Sequence, residues 1–286
     1  MNAPPKSPKV SLWGWRHLIL RRSVQFAVLL MFFGTLHWGW EVAGAPLLRG
    51  NLSAAELLGV LPLADPFAVL QQLVSGHWLH TTVLTGAGVI LVFYAFAGRV
   101  FCAWVCPMNL VTDSAAWLRT RLNPKNLFTL PRTTRYWFLG MALVLSALTG
   151  VAAFEWVSPI SMLHRELIYG AGLGLTAALG IFIFDLLILK HGWCGHLCPL
   201  GAFYGLLGSR AAIRVRFDDA SCTRCGECAR VCPEPQVLNL KQAAERGMVA
   251  SGACTNCGRC LPSCPENSLD FAWRWQARPQ GTTKQP

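Results

Sequence analysis

The chain has 286 residues, 53% of them hydrophobic and 14% charged, with a positive mean hydropathy of +0.39. That profile excludes an ordinary soluble domain and points to a membrane protein. The formal net charge of +11 reads as basic loops retained on one side of a bilayer rather than as a nucleic-acid footprint, so no nucleic-acid partner is expected.

Residues 1–22 carry Pro4, Pro5 and Pro8 and are expected to form a cytoplasmic tail. Four apolar windows follow, at 23–40, 79–97, 136–157 and 167–189. Each approaches the roughly 20 helical residues that cross a hydrocarbon core of about 30 Å. The first is long and aromatic and lacks a clear small-x-small cleavage site, so it reads as an anchor rather than a signal peptide.

Lys and Arg set the orientation, because basic loops stay on the cytoplasmic side. Five precede the first window (Lys6, Lys9, Arg16, Arg21, Arg22), six lie in 98–135 and twelve from Lys190 onward. Arg49 alone separates the first two windows, and Arg165 alone the last two. The expectation is four spans with both termini cytoplasmic, multi-pass in a bacterial inner membrane. Trp38, Trp40, Trp78 and Trp156 then fall at outer ends of spans, and Trp104, Trp137 and Trp193 at inner ends, as amphipathic rings do at headgroup level.

Two of the windows run into the same motif. "FCAWVCP" holds Cys102 and Cys106, "WCGHLCP" holds Cys194 and Cys198, and the copies are offset by 92 residues. Cysteines four apart on a helix share one face, and Pro107 or Pro199 then ends that helix. The 23–208 region thus reads as a duplicated two-helix unit. Its four thiols are candidates for an additional redox or metal site, or for small residues that cap two helices.

From about 209 the composition changes. "CTRCGECARVCP" (222–233) and "CTNCGRCLPSCP" (254–265) are two copies of C-x2-C-x2-C-x3-C-P, the bacterial ferredoxin run in which the fourth cysteine ligates the other cluster. One [4Fe-4S] cluster is therefore assigned to Cys222, Cys225, Cys228 and Cys264, and the other to Cys254, Cys257, Cys260 and Cys232. Zinc prefers separated pairs of ligands, and disulfides need an oxidising compartment. Residues 213–217 and 269–273 alternate as short strands, and Gly226 and Gly258 are expected to let backbone approach the clusters closely. The fold class is an α-helical membrane protein with four transmembrane helices and a C-terminal α+β 2[4Fe-4S] ferredoxin domain. The domains expected are 1–22, 23–208, 209–275 and a flexible tail at 276–286.

Duplicated Cys-x3-Cys-Pro hairpins followed by two ferredoxin runs resemble the NapH family, membrane-bound ferredoxin-type quinol dehydrogenase components of periplasmic nitrate reductase systems. The same motifs occur in the nitrous oxide reductase regulator type and in FixG/CcoG-like assembly proteins. The chain is expected to be neither, for want of the flavin-binding region of the first and the C-terminal β-domain of the second. The resemblance implies an enzyme component that oxidises membrane quinol and passes electrons to a periplasmic iron–sulfur partner of the NapG type. A soluble cytoplasmic ferredoxin-like protein is a second expected partner, beside membrane lipid.

On the expected topology His37, Glu41, His77, His80, Glu155 and His164 gather at outer span ends, where ionisable groups are candidates for a quinol and proton site. His37 and His80 also suit axial ligation of a haem. Asp185 receives no role. The alternative function is a maturation factor whose clusters supply electrons for metal-centre or thiol reduction during biogenesis of another respiratory enzyme.

Overall fold

The structure, a computed structural model, describes residues 12–276 apart from 125 and 171. The proline-bearing start of the tail and the residues after 276 lie outside them. Helix α1 (Leu12–His37) is followed by short strands β1 (Glu41–Val42), β2 (Ala45–Pro46), β3 (Leu48–Gly50), β4 (Ala54–Leu57) and β5 (Leu61–Ala64). Then come α2 (Pro66–Val74), α3 (Thr81–Ala97), α4 (Phe101–Trp104) and α5 (Met108–Leu122). The next helices are α6 (Thr134–Thr149), α7 (Ala153–Val157), α8 (Pro159–Tyr169) and α9 (Gly174–Ile183), the last running into a π-helical turn at Phe184–Ile188. A second π-helical turn at Trp193–Leu197 leads into α10 (Pro199–Gly208). The C-terminal part holds β6 (Ile213–Phe217), α11 (Glu227–Val231), α12 (Leu240–Arg246), α13 (Cys260–Ser263) and β7 (Leu269–Trp273).

Among the described residues Arg16–His37 is the helix long and apolar enough to cross a membrane by length and composition, and Thr81–Ala97 and Gly174–Ile188 are apolar but shorter. Helix α1 begins at Leu12, inside the expected tail. The third expected span breaks at Gly150, whose φ of +69° caps α6 in the left-handed region that glycine adopts without a Cβ clash. The fourth starts late because α8 is a separate helix. The residue before proline is pushed from the α region, so Ser158 takes an extended ψ of 114° and caps α8, which ends on left-handed Gly170.

The chain divides into two compact units. The larger, Val24–Tyr94 with Val105–Tyr204, repeats one device. Asp65 precedes Pro66 and caps α2 through its side chain, as Ser158 precedes Pro159 and caps α8. Each cap satisfies one orphan amide of the first turn. The two copies differ in what precedes them, since only the first carries the hairpin β1–β2 and the antiparallel meander β3–β4–β5. Phe32, Leu48 and Ile168 form one small core, and Ala64, Val69 and Ala87 another. Buried Gln71 holds α2 in place: its Oε1 accepts from the Phe154 amide at 2.9 Å and the Ser146 hydroxyl at 3.4 Å.

The smaller unit comprises Met1–Ser23, Ala95–Trp104 and Gly205–Pro286, so it takes in more than the expected 209–275 domain. Strands β6 and β7 pair antiparallel with Val215 opposite Phe271 and Phe217 opposite Leu269, as their alternation predicts. Val215, Phe217, Val249, Leu261 and Leu269 form the core, where each large side chain contributes about 1.5–3 kcal/mol of burial. One residue breaks the alternation. Arg216 is exposed and bonds Asp270 at 2.7 Å, whereas Arg214 on the same face is 1% exposed.

Candidate functional site

The smaller unit contains two cavities. Cys222, Cys225, Cys228 and Cys264 line one, together with Phe217, Leu240 and Leu269. Cys232, Cys254, Cys257 and Cys260 line the other, together with Val215, Val237 and Val249. Each cavity joins three cysteines of one run to the fourth of the other. The turns that bring them there match: Arg224 and Asn256 take φ of 54° and 49°, and Gly226 and Gly258 take 79° and 71°. A Cβ on Gly226 would meet nothing within 4 Å. Left-handed backbone, rather than close approach of the protein chain, is therefore what glycine serves there. Backbone amides point at sulfur, Arg224 N to Cys222 Sγ at 3.4 Å and Ser268 N to Cys264 Sγ at 3.3 Å.

The donor set fits iron–sulfur clusters. No disulfide joins any of the twelve cysteines, all of which lie among the described residues. The four cysteines of each set line one cavity, the arrangement in which each thiolate can hold one iron of a cube. Burial pushes the Cys254 thiol up to about 11, with Cys257 adding to it. Burial likewise raises Cys232, with help from Cys257 and Cys254, and Cys228, with help from Cys264 and Cys222. Thiols that resist ionisation alone give up their protons when a metal centre takes the sulfurs.

The segment bearing Cys102 belongs to the same unit. The Arg99 guanidinium donates to Glu234 at 3.0 Å and to the Ala253 carbonyl at 3.3 Å, and it also interacts with Cys102. The Trp104 indole, expected at headgroup level, donates to the Asn256 carbonyl at 3.0 Å. Asn256 returns bonds to the carbonyls of Ala97 at 2.9 Å and Ile213 at 3.0 Å.

Neither Cys-x3-Cys pair lies on one α-helical face, contrary to expectation. Helix α4 stops at Trp104, so Cys106 falls beyond it. Cys194 sits on the π-helical turn, which Cys198 closes by donating its amide to Trp193 O at 2.9 Å. Proline is the cause in both copies, since the preceding residue is steered to extended backbone, as the Cys198 ψ of 111° records. The Cys194 thiol donates to Thr112 at 3.7 Å and Cys198 Sγ accepts from the Gly201 amide at 3.4 Å. Buried Asp185 has a structural task, its carboxylate accepting from the Trp193 amide at 3.0 Å.

The six outer candidates do not form one cluster. Glu155 accepts from the Ser161 hydroxyl at 2.7 Å and from that of Ser53. His37 contacts the Ile168 carbonyl at 2.8 Å, while His164, 1% exposed, packs edge-on against Phe32 with neither ring nitrogen hydrogen-bonded. Burial, with Arg165 adding to it, pulls His164 down to about 4 and keeps it neutral. His77 and His80 are exposed and bond Ser75 and Thr82, and Glu41 is exposed on β1. His37 and His80 thus have separate surroundings, which lends nothing to a haem between them.

Two residues that sequence reasoning passed over complete the Glu155 site. Asp65 accepts the Tyr204 hydroxyl at 2.7 Å, and its amide donates to the Ser53 carbonyl at 2.8 Å. Burial raises Asp65 to about 6 against the Tyr204 hydrogen bond, and the Glu155 charge adds to the rise. The sequence signal was an Asp-Pro helix start, which marks a cap and says nothing of burial. The contact also brings a segment expected outside onto α10, expected at the inner end. Ser53 and Asp65 adjoin Ala54 and Ala64, which line a cavity of about 470 Å3 shared with Arg49, Glu56 and Thr82.

Two ferredoxin-like four-cysteine cavities on a two-stranded sheet define an iron–sulfur electron-transfer protein. A profile described as a 4Fe-4S dicluster domain matches residues 214–265, and one described as a 4Fe-4S binding domain matches 79–125 and 171–217. The chain is 48% identical to the ferredoxin-type protein NapH of Escherichia coli (strain K12) over 82% of this chain and 83% of that one. It is 47% identical to the methylamine utilization ferredoxin-type protein MauN of Methylobacillus flagellatus over 80% of each, and 43% identical to NapH of Haemophilus influenzae over 83% and 84%. The chain belongs to this NapH and MauN family of ferredoxin-type proteins. No solved structure matches it.

Proposed function

We propose that the protein oxidises a membrane quinol and delivers the electrons to a periplasmic reductase pathway, nitrate reductase by way of a NapG-type iron–sulfur partner. The observation that carries this reading is the Asp65–Ser53–Glu155 chain of hydrogen bonds, whose neighbours in sequence Ala54 and Ala64 line a cavity of about 470 Å3. Quinol loses two electrons and two protons to become quinone. Glu155 and Asp65 accept the protons, and Tyr204 and the serines hold the carboxylates in place. Two [4Fe-4S] clusters, when bound, supply one-electron carriers. Cys222, Cys225, Cys228 and Cys264 hold one and Cys254, Cys257, Cys260 and Cys232 the other.

Four spans with both termini cytoplasmic complete the reading, built on α1, α3, α6 and α9 and supported by the five, one, six, one, twelve distribution of basic residues, with α2 re-entering from the outer side so that Asp65 meets Tyr204 of α10. The match of a 4Fe-4S binding profile to each repeat favours a redox role for Cys102, Cys106, Cys194 and Cys198. In membranes, a quinol analogue is expected to reduce the clusters. Clusters that a soluble cytoplasmic reductant fills while quinol does not would mark a maturation factor instead. Reporter fusions after Gly50 and Gly170 are expected to read periplasmic, and those after Asn126 and Pro286 cytoplasmic. An inside signal at Gly50 overturns the topology.

A further inference from the structure

We propose that the two clusters differ in potential: buried Arg99 and Arg214 make the one at Cys232, Cys254, Cys257 and Cys260, on the side of the Cys102 segment, the more easily reduced. The inference rests on the assignment of two clusters above and goes beyond it by ranking them.

Arg214 carries the first half. It is 1% exposed, and its guanidinium donates to the carbonyls of Ser251 at 2.9 Å and of Gly208, while Nε has no hydrogen-bond partner. The charges that act on it are the Cys254 sulfur and a second cation, Arg274. Burying a guanidinium against carbonyls alone costs several kcal/mol, so the position calls for an anion. Arg99, also 1% exposed, pairs with Glu234 and donates to the carbonyl of Ala253, next to Cys254. The Ser251 carbonyl that accepts from Arg214 also accepts the Cys254 amide at 3.1 Å. Two buried cations thus stand beside a cluster whose reduction adds one negative charge.

The other cavity is built differently. Cys225 is exposed, Arg224 is 67% exposed beside Asp219, and Arg230 is 66% exposed beside Glu227. Those charges are paired and screened by water. Water at Cys225 also favours the reduced cluster, yet a buried cation fixed on the carbonyls of Ser251 and Ala253 beside Cys254 acts with little screening and outweighs it. Amides donate to sulfur in both cavities, so hydrogen bonding does not separate them.

The second half rests on connectivity. The 254–257 turn is tied to the Cys102 segment by Trp104 to the Asn256 carbonyl and by Asn256 to the Ala97 carbonyl. Arg99 adds a link from Cys102 to Glu234, two residues past Cys232. This contact sets the Cys254 side of the unit against the Cys102 segment, which leaves the exposed Cys225 side to face a soluble partner.

The test is a reductive titration of the anaerobically purified full chain, followed by electron paramagnetic resonance with dithionite as the electron source. In the parent the first signal to appear is expected to be the one that Cys225→Ser leaves unchanged. Arg214→Gln is expected to change the reduced-to-oxidised ratio of that signal about tenfold at fixed potential, about 59 mV more negative for one electron. Arg214→Lys returns it towards the parent, and Arg230→Gln moves neither midpoint. The inference is overturned if Cys225→Ser spares the second signal rather than the first, or if Arg214→Gln keeps its iron and its midpoint. Should Arg214→Gln lose iron, the order of reduction in the parent and Cys225→Ser decides. Zinc in place of iron fails the cluster assignment itself, a result distinct from two clusters in the opposite order.

Discussion

The first Cys-x3-Cys-Pro copy and the second share their spacing and differ in their neighbours. Cys102 stands on a single α-helical turn and interacts with a buried guanidinium, Arg99. Cys194 stands on a π-helical turn pinned by Asp185 and meets the neutral hydroxyl of Thr112. A duplicated motif fixes where thiols fall along the chain. The charge each thiol meets depends on residues that the other copy lacks, because the 92-residue offset puts the imidazole of His191, not a permanently charged guanidinium, at the place of Arg99.

The largest expected effect tests whether the copies act as one. Cys102→Ser and Cys194→Ser are each expected to abolish quinol-linked electron transfer while iron content holds, with the double variant no worse than either. Additive, partial losses would mean that the copies work separately, and full activity in the quadruple serine variant would leave the repeat as packing. Next is Cys264→Ala, expected to cut iron from about eight to about four per chain by removing the cluster of the distant Cys222 run. Loss of the Cys254 cluster instead would refute the crosswise assignment.

Asp65→Asn sharpens the comparison of the half-helices α2 and α8, capped by a carboxylate and a hydroxyl respectively. With Asp65 raised to about 6, the group is protonated below that pH and accepts a proton above it. Quinol oxidation is therefore expected to rise as pH passes 6 and, in Asp65→Asn, to fall on the order of 10²-fold and lose that limb. An unchanged pH profile would remove Asp65 from the proton path. The buried Arg99 pair gives a stability effect: Arg99→Ala is expected to cost about 3–5 kcal/mol by removing the cation that balances buried Glu234, and a denaturant series on Arg99→Met with Glu234→Leu should recover most of it. Smallest is Gly226→Ala, about 1 kcal/mol for a Cβ at φ of +79°, measurable as a shift in melting temperature.

Legibility differed between the units. The ferredoxin runs and both strands were readable because three local spacings and a period of two decide them, and β6 and β7 pair as that period requires. Strands β1 to β5 were not readable. Each is two to four residues long, shorter than the window over which alternation can be counted. Glu155 was chosen as an outer polar residue and is a bonded partner of Ser53 and Ser161. Asp65, its neighbour in charge, was hidden because capping chemistry looks the same at an exposed helix start and at a buried one.

By itself the sequence determined the thiol pattern, the duplication at 92 residues, the apolar segments and the cysteine-bearing turns, since all of these follow from residue type and short-range spacing. The tertiary structure alone decided which charges are buried. Arg214 and Arg216 are indistinguishable in a strand of alternating residues, and one faces water while the other is enclosed by the carbonyls of Gly208 and Ser251. The same holds for Asp65 against Tyr204, 139 residues apart. Burial of a charge depends on contacts between distant segments, and those contacts set its energy through desolvation and fixed neighbours rather than through local propensity.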